Sequence, residues 1–280
     1  MREIDARAVT EAVGRLSIEA CCVLPEDVRR AISAAAAAET WPGAREILGD
    51  IGENIALSAR ACVPLCQDTG LTTVFLELGQ DAHITGGGLY DAVQEGVRRG
   101  YTEGYLRKSV VRDPISRVNT GDNTPATVYT DIVPGDALRV TVCPKGAGSE
   151  NMSRLGMLTP AMGLEGVKAF VLDTVRGAGG NPCPPTVVGV GLGGSFDSAP
   201  LLAKKALLRS LDAPHPDPFY AALEDELLTA LNRSGIGPQG FGGRTTALRV
   251  LINAAPTHIA MLPVAVCISC HAARHASAVL

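Results

Sequence analysis

The chain is poor in aromatic residues: only 4% of its 280 positions are Phe, Trp or Tyr. Stacking platforms for single-stranded nucleic acid are therefore not expected. An excess of positive charge is also lacking. Lys and Arg number 25 against 29 Asp and Glu, a formal net charge of −4. That balance leaves no electrostatic footprint for nucleic acid or an anionic membrane. Long apolar runs are missing too. The opening Met1-Arg2-Glu3-Ile4-Asp5 is charged and has no apolar stretch of the secretory type. The alanine run at 34–38 is too short and too weakly apolar to cross a bilayer. No internal period and no low-complexity linker divides the chain. The expectation is a cytoplasmic protein with neither nucleic-acid nor membrane partners.

What is present is globular material. Apolar residues make up 46% of the chain, enough for one large domain or two small ones. The first 60 residues read as helices. Ile47, Ile51 and Ile55 recur at i, i+4, i+8 and stripe one face, and Pro25 and Pro42 stand where helices begin. Residues 71–78 are β-branched and apolar behind a Thr69-Gly70 turn and read as a strand; 88–99 return to helix. Residues 127–133 and 138–142, joined by Pro134-Gly135-Asp136, read as a β-hairpin. Residues 186–190 read as a short strand entering a glycine-rich turn, and 199–209 as a helix. Leu223, Leu227 and Leu231 stripe another helix, 232–243 is a glycine-rich loop, and 258–266 is the last strand. The expected fold is a single helix-rich α+β domain with an antiparallel or mixed sheet and its chemistry on loops.

Eight cysteines stand at 21, 22, 62, 66, 143, 183, 267 and 270. In a long chain of this kind, metal binding or catalysis competes with simple burial. Spacing alone does not decide. Cys267-x-x-Cys270 has no second pair to complete a zinc ribbon. It follows an apolar strand and does not open a helix, as a redox pair would. Cys62-x-x-x-Cys66 fits no common zinc pattern. His271 and His275, four apart, would share a helix face, but H-E-x-x-H is absent. His258 by itself reads as a hydrogen-bonded structural residue. The run from Gly189 to Ser195 could bring backbone N–H groups to an anion; we assign it to neither a dinucleotide fingerprint nor a P-loop.

The loops around the cysteines carry more. Cys66-Gln67-Asp68-Thr69-Gly70 sets a thiol, an amide and a carboxylate just before a strand. Residues 119–125 (NTGDNTP), 145–152 (KGAGSENM) and 242–246 (GGRTT) are further compact polar loops. Any one of them is ordinary turn chemistry. Four in one chain favour ligand placement by backbone and side chain together.

These stretches together resemble the α-subunit, or N-terminal domain, of the iron–sulfur hydro-lyases that include class I fumarases and L-tartrate dehydratase. The matching segments are PLCQDTG (64–70), NTGDNTPA (119–126), GSENMSRLGMLTPAMG (148–163), the run 181–209 opening NPCPPT, GIGPQGFGGRTTAL (235–248) and CHAARHA (270–276). They run in family order through 41–280, with 1–40 as N-terminal helices. The resemblance implies a [4Fe–4S] cluster on three cysteines, mapping to Cys66, Cys183 and Cys270, with Cys267 left out. Three thiolates for four irons leave one iron open to a substrate carboxylate and hydroxyl. It further implies that Gln67, Asp68 and Arg107 line the pocket, Arg107 as a carboxylate clamp and Asp68 as the acid/base group. His258 falls twelve residues before Cys270, as a pocket histidine does in the family. The resemblance also implies that the Gly146-Ala147 loop approaches the substrate.

The reaction so implied is reversible dehydration of a small 2-hydroxy dicarboxylic acid, with malate/fumarate as the leading pair. L-tartrate or a methylated C4/C5 diacid is the alternative, as is a cluster-binding homologue without activity. Ala147 departs from the usual K-G-G-G-S-E-N and adds a methyl group. Single-chain members carry a second domain after CHAARH, so a separate β-subunit of roughly 180–200 residues, about one domain, is expected, in an α2β2 heterotetramer.

Overall fold

The computed structural model describes residues 2–280. In chain order the elements are β1 (Arg2–Asp5), α1 (Ala6–Cys22), α2 (Glu26–Ala38), α3 (Pro42–Ala61), β2 (Leu71–Gly79), β3 (Ala82–Thr85), α4 (Leu89–Glu103), β4 (Thr127–Val133) and β5 (Leu138–Lys145). They continue with α5 (Ala147–Glu150), β6 (Arg154–Leu158), α6 (Gly163–Ala178), β7 (Thr186–Gly194), α7 (Ser198–Ala206), α8 (Pro218–Asn232), β8 (Ala247–Thr257), β9 (Leu262–Ser269) and β10 (Ala276–Val279). The class is α+β with mixed sheets, as expected. Two compact units are distinguishable: the first comprises 1–25, 54–147 and 274–280, the second 26–53 and 148–273. No helix among the described residues is long and apolar enough to cross a membrane.

In the first unit β2 is the central strand. Its neighbours are β4, parallel, and β5, antiparallel; β10 pairs antiparallel with the far side of β5. The alternation in β2 puts Val74 and Leu76 opposite Val142 and Val140. These four side chains are buried and enter one core with the stripes of two helices. Val9, Val13, Leu16 and Ala20 line α1, whose start is capped by Asp5 accepting the Arg7 N–H at 2.8 Å. Val93 and Val97 line α4. A short parallel pair, β1 with β3, completes the unit.

One expectation fails here. β4 and β5 flank the turn at 134–137 but do not pair with each other, because β2 lies between them. The turn instead wraps the end of β2: Gly79 N–H donates to Ala137 O, and Gln80 N–H to Val133 O, each at 2.8 Å. The local turn chemistry was legible; the intruding strand comes from fifty residues upstream and leaves no local mark.

The second unit repeats this scheme with no repeat in sequence. β7 is central, parallel to β8 and antiparallel to β9, and β6 pairs antiparallel with β9. Val188, Val190 and Leu192 of β7 face the stripes of α6 (Val167, Val171, Val175) and α8 (Leu223, Leu227, Leu231). The strand continues to Gly194, so the glycine run is strand, not turn. Gly189, Gly191 and Gly194 do stand at G-x-G-x-x-G spacing, but the first two have a packing cause. A Cβ on Gly189 would collide with the Ala203 carbonyl, and one on Gly191 with that of Ala199. The glycines let the backbone of α7 lie directly on the sheet. Residues 270–275, expected to be helical around His271 and His275, carry no helix.

Candidate active site

In each unit the motif loops gather at one end of the sheet, and strand direction explains why. In the first unit 66–70 enters β2 and 119–126 enters the parallel β4, while 146–147 leaves the antiparallel β5. The start of a strand, the start of a parallel neighbour and the finish of an antiparallel neighbour all meet at one edge. In the second unit 180–185 enters β7, 237–246 enters the parallel β8, and 270–271 leaves β9. The segment 148–153 enters β6, antiparallel to β9, and so lies at that end too.

The first unit holds Cys66, Gln67, Asp68, Arg107, Gly146 and Ala147. Asp68 is half-buried and uses both oxygens: Oδ1 accepts the Gly70 N–H at 3.0 Å and Oδ2 the Ala147 N–H at 2.9 Å. A Cβ on Gly146 would lie 3.0 Å from Oδ2, so the loop crosses close over the carboxylate. Asp68 N–H points to the Cys66 sulfur at 3.4 Å, and that thiol lies 3.4 Å from Gln67 Oε1. The last three carbonyls of this turn, those of Asp68, Thr69 and Gly70, are all taken. Arg274, 5% exposed, donates from Nη2 to Asp68 O at 2.5 Å and from Nε to Pro144 O at 3.0 Å. The buried Tyr101 hydroxyl donates to Thr69 O at 2.7 Å, and Asn123 Nδ2 to Gly70 O at 3.2 Å. Gly70 has φ +80°, and a Cβ there would sit 2.6 Å from Lys145 backbone atoms; no other residue fits. Thr69 Oγ1 donates to Arg107 O at 3.0 Å, which fixes that backbone while the Arg107 side chain stays exposed. Ala147 is exposed and helical, a conformation in which a methyl group carries no backbone penalty.

The second unit holds Cys183, Cys270 and His258. The first two loops are tied together: His271 donates its backbone N–H to Cys183 O at 3.3 Å, and its Nδ1 lies 3.0 Å from the same oxygen. Gln239 joins them, its backbone N–H and Nε2 both donating to Pro184 O, at 2.7 and 2.9 Å, with Nε2 3.2 Å from His271 Nδ1. Glu39 is fully buried and anchors the GGRTT loop, with Oε2 accepting the Arg244 N–H at 2.8 Å and Oε1 the N–H groups of Thr40 and Trp41. Burial pushes its pKa up, but the three N–H donors and the Arg244 charge outweigh that and hold it below the ordinary glutamate value. His258 is elsewhere. It lies exposed in the turn between β8 and β9, whereas Cys183 and Cys270 lie at the other end of the eight-residue β9. At strand rise that is roughly 25 Å away.

Sequence reasoning missed Tyr101, Asn123, Arg274, Gln239 and Glu39 as organisers of these loops. Arg274, Asn123 and Gln239 lay inside the CHAARHA, NTGDNTPA and GIGPQGFGGRTTAL motifs, and that was their only signal. Nothing in pattern distinguishes the buried carboxylate of Glu39 from a surface one.

The cysteines divide by environment. Cys21, Cys22, Cys143 and Cys267 are buried; Cys66 and Cys270 are half-exposed, and Cys62 and Cys183 exposed. Burial pushes the Cys21 thiol up to about 11; burial, then the neighbouring Cys62, pushes Cys22 up to about 12. Each is overwhelmingly the neutral thiol at neutral pH, with only a small thiolate fraction. The Cys267 thiol donates to Glu150 Oε2 at 3.9 Å. Among the described residues no group of three or more His, Cys, Asp or Glu side chains is assembled as a metal site. The donor chemistry of Cys66, Cys183 and Cys270, accessible thiols on anchored loops, fits an iron–sulfur cluster in kind.

Thiol, carboxylate and amide side chains stand on glycine-rich loops of an α+β chain, a set of groups compatible with hydro-lyase chemistry. Residues 10–279 match the family described as Fumarate hydratase (Fumerase), and the chain belongs to it. It is similar to a protein of Methanocaldococcus jannaschii named "Putative L(+)-tartrate dehydratase subunit alpha", 44% identical over 96% of each chain. It is also similar to the L(+)-tartrate dehydratase subunit alpha of Escherichia coli: 34% identical in strain UTI89 and 33% in strain K12, over 95% of this chain and 88% of either relative. The chain is thus a hydro-lyase of the α-subunit kind, in a family that depends on iron–sulfur chemistry, and the subunit names of its relatives point to a separate partner subunit.

Proposed function

We propose that this chain, with a β-subunit in an α2β2 assembly in the cytoplasm, catalyses reversible dehydration of a 2-hydroxy C4 dicarboxylate. The names of the relatives bring L(+)-tartrate forward beside malate and fumarate. Cys66, Cys183 and Cys270 are the proposed ligands of a [4Fe–4S] cluster. When bound, such a cluster supplies a Lewis acid that eases departure of the hydroxyl group. The chain's own groups do the rest. Arg107, held by its backbone with its guanidinium exposed, is a fork for a substrate carboxylate. Gln67 is an exposed amide beside the Cys66 thiol. Gly146 and Ala147 close over the carboxylate of Asp68, which handles the proton at the carbon next to the carboxylate. The observation that carries this reading is the fixation of Asp68 by two backbone N–H groups, two residues from a proposed ligand. His258 receives no role at the Cys183–Cys270 end.

The test is assay of the anaerobically reconstituted α–β pair against L(+)-tartrate, malate, fumarate and methylated C4/C5 diacids. Turnover of one of them, absent from either subunit alone, is the expected result. Cluster-loaded protein that turns over none would leave a binding homologue without activity.

A further inference from the structure

A second pair of thiols lies apart from the proposed ligands, in the first unit. Cys22 is the last residue of α1, and Cys62 follows directly on α3. The Cys62 thiol is near enough to be one of the causes that raise the Cys22 pKa, after burial. Backbone contacts hold the two segments in register. Ser58 Oγ shares its proton between Cys22 O, at 2.8 Å, and Val63 O, at 2.6 Å, and Leu65 N–H donates to Cys21 O at 3.0 Å. Cys62 has φ +52°, a left-handed position that glycine takes at lower cost. Both cysteines line one cavity of about 510 Å³, whose charged walls are Arg15, paired with Glu19, Arg99, paired with Glu95, and the carboxylates of Glu11 and Glu103. Cys22 is 2% exposed and Cys62 exposed, so a reagent entering from solvent meets Cys62 first.

We propose that Cys22 and Cys62 form a reversible dithiol/disulfide site that takes small disulfides entering from solvent. In the first step the Cys62 sulfur attacks one sulfur of the reagent; the S–S bond breaks and one thiolate leaves. In the second the Cys22 sulfur attacks Cys62 and expels the other thiolate. The protein loses two protons and two electrons, and the reagent is reduced to two thiols. A shared cavity wall and the Ser58 bridge between the two segments make the second step intramolecular, which offsets the small thiolate fraction of a buried cysteine. This inference is independent of the hydro-lyase reading.

The probe is oxidised glutathione, added to the reduced full-length chain under anaerobic conditions. Alkylation and peptide mass mapping follow. The expected product is a Cys22–Cys62 linked peptide pair lighter by two hydrogens, with two glutathiones released per link. Cys22→Ser should stop at a Cys62–glutathione adduct, and Cys21→Ser should still link. A stable glutathione adduct at Cys62 of the unmodified chain, or a link from Cys62 to Cys21 or Cys66, overturns the proposal. That map needs no variant and no catalytic assay.

Discussion

Replacing Asp68 by Asn separates catalysis from scaffolding, provided that the structural loss is measured with it. Viewed as a turn residue alone, Asn keeps the bond from Gly70 N–H to Oδ1. The second oxygen changes that comparison. Oδ2 accepts the Ala147 N–H at 2.9 Å, and an amide nitrogen there would face a donor with a donor. The variant therefore loses one charge-assisted hydrogen bond, worth about 1.5–3 kcal/mol. At 2–4 °C per kcal/mol in a chain of this size, Tm falls by roughly 3–12 °C. If Asp68 moves the proton, kcat falls in addition by about 10²–10⁴-fold, the range for a general acid–base group, with iron and sulfide content unchanged.

The control is Tyr101→Phe. It removes the hydroxyl that donates to Thr69 O and accepts from Thr72, loosening the same turn by a similar energy and leaving the carboxylate intact. The expected pattern is equal loss of Tm in the two variants, with the large loss of kcat only in Asp68→Asn. Equal and small losses of kcat in both, with full clusters, would refute a catalytic Asp68 and assign the proton to the other subunit.

Four further outcomes follow. Cys66→Ser, Cys183→Ser and Cys270→Ser should each lose iron and sulfide on anaerobic reconstitution, and Cys21→Ser and Cys267→Ser should not; the reverse at any position breaks the ligand assignment. Glu224 is fully buried, with Oε1 accepting from Arg209 Nη1 at 2.6 Å and from Ile252 N–H at 2.7 Å. Glu224→Leu strands the Arg209 charge and should cost roughly 3–5 kcal/mol in denaturant unfolding; a loss below 1 kcal/mol would show that Arg209 finds water instead. Burial pushes Asp122 up, but the N–H and hydroxyl of Thr124 and the Arg98 guanidinium prevail and hold its carboxyl at about 2, against an ordinary 3.8. Its contribution, on the order of 2 kcal/mol, is present above pH 3.8 and lost as pH falls through 2, so Asp122→Ala should flatten unfolding stability over that window. His258→Asn should leave cluster content and kcat within about threefold, the scale of a surface change; a large fall in kcat would place His258 in a site completed by another chain.

Local pattern disclosed most of the elements and nearly all the loops that matter. The leucine stripe of α8 and the β-branched run of β2 are periodic over enough residues to be read directly. Pairing was not legible, because β2 separates β4 from β5 through contacts across fifty residues. β8 was missed as a strand although its pairing with β7 fixes the whole second sheet. The glycine run 189–194 was misread for a related reason: Gly189 and Gly191 answer to the carbonyls of Ala203 and Ala199 in α7, outside the run itself. Site residues were legible where a motif named them. His258 shows the limit, since its distance from Cys270 in sequence is that of one strand and its distance in space is the length of that strand.

The arrangement of both sheets makes the loop positions a consequence of topology. A central strand flanked by one parallel and one antiparallel neighbour has only one end where two strands start and one finishes. Loops at that end come from three distant parts of the sequence, so groups such as Asp68, Arg107 and Ala147, or Cys183 and Cys270, meet without any local sequence relation. The opposite end carries the turns at 134–137 and 258–261, each joining the two strands that flank the central one; in the second unit that end borders a cavity of about 380 Å³ lined by Leu192, Gly193, Thr257 and Met261 and by none of the motif residues. Gly70 and Glu39 then do for the loops what pairing does for the strands. One admits a backbone crossing that a Cβ would block; the other gives buried N–H groups an acceptor they would otherwise lack. A chemistry-bearing residue moved from the first kind of end to the second would keep its burial and its neighbours in sequence and lose every partner the reaction needs.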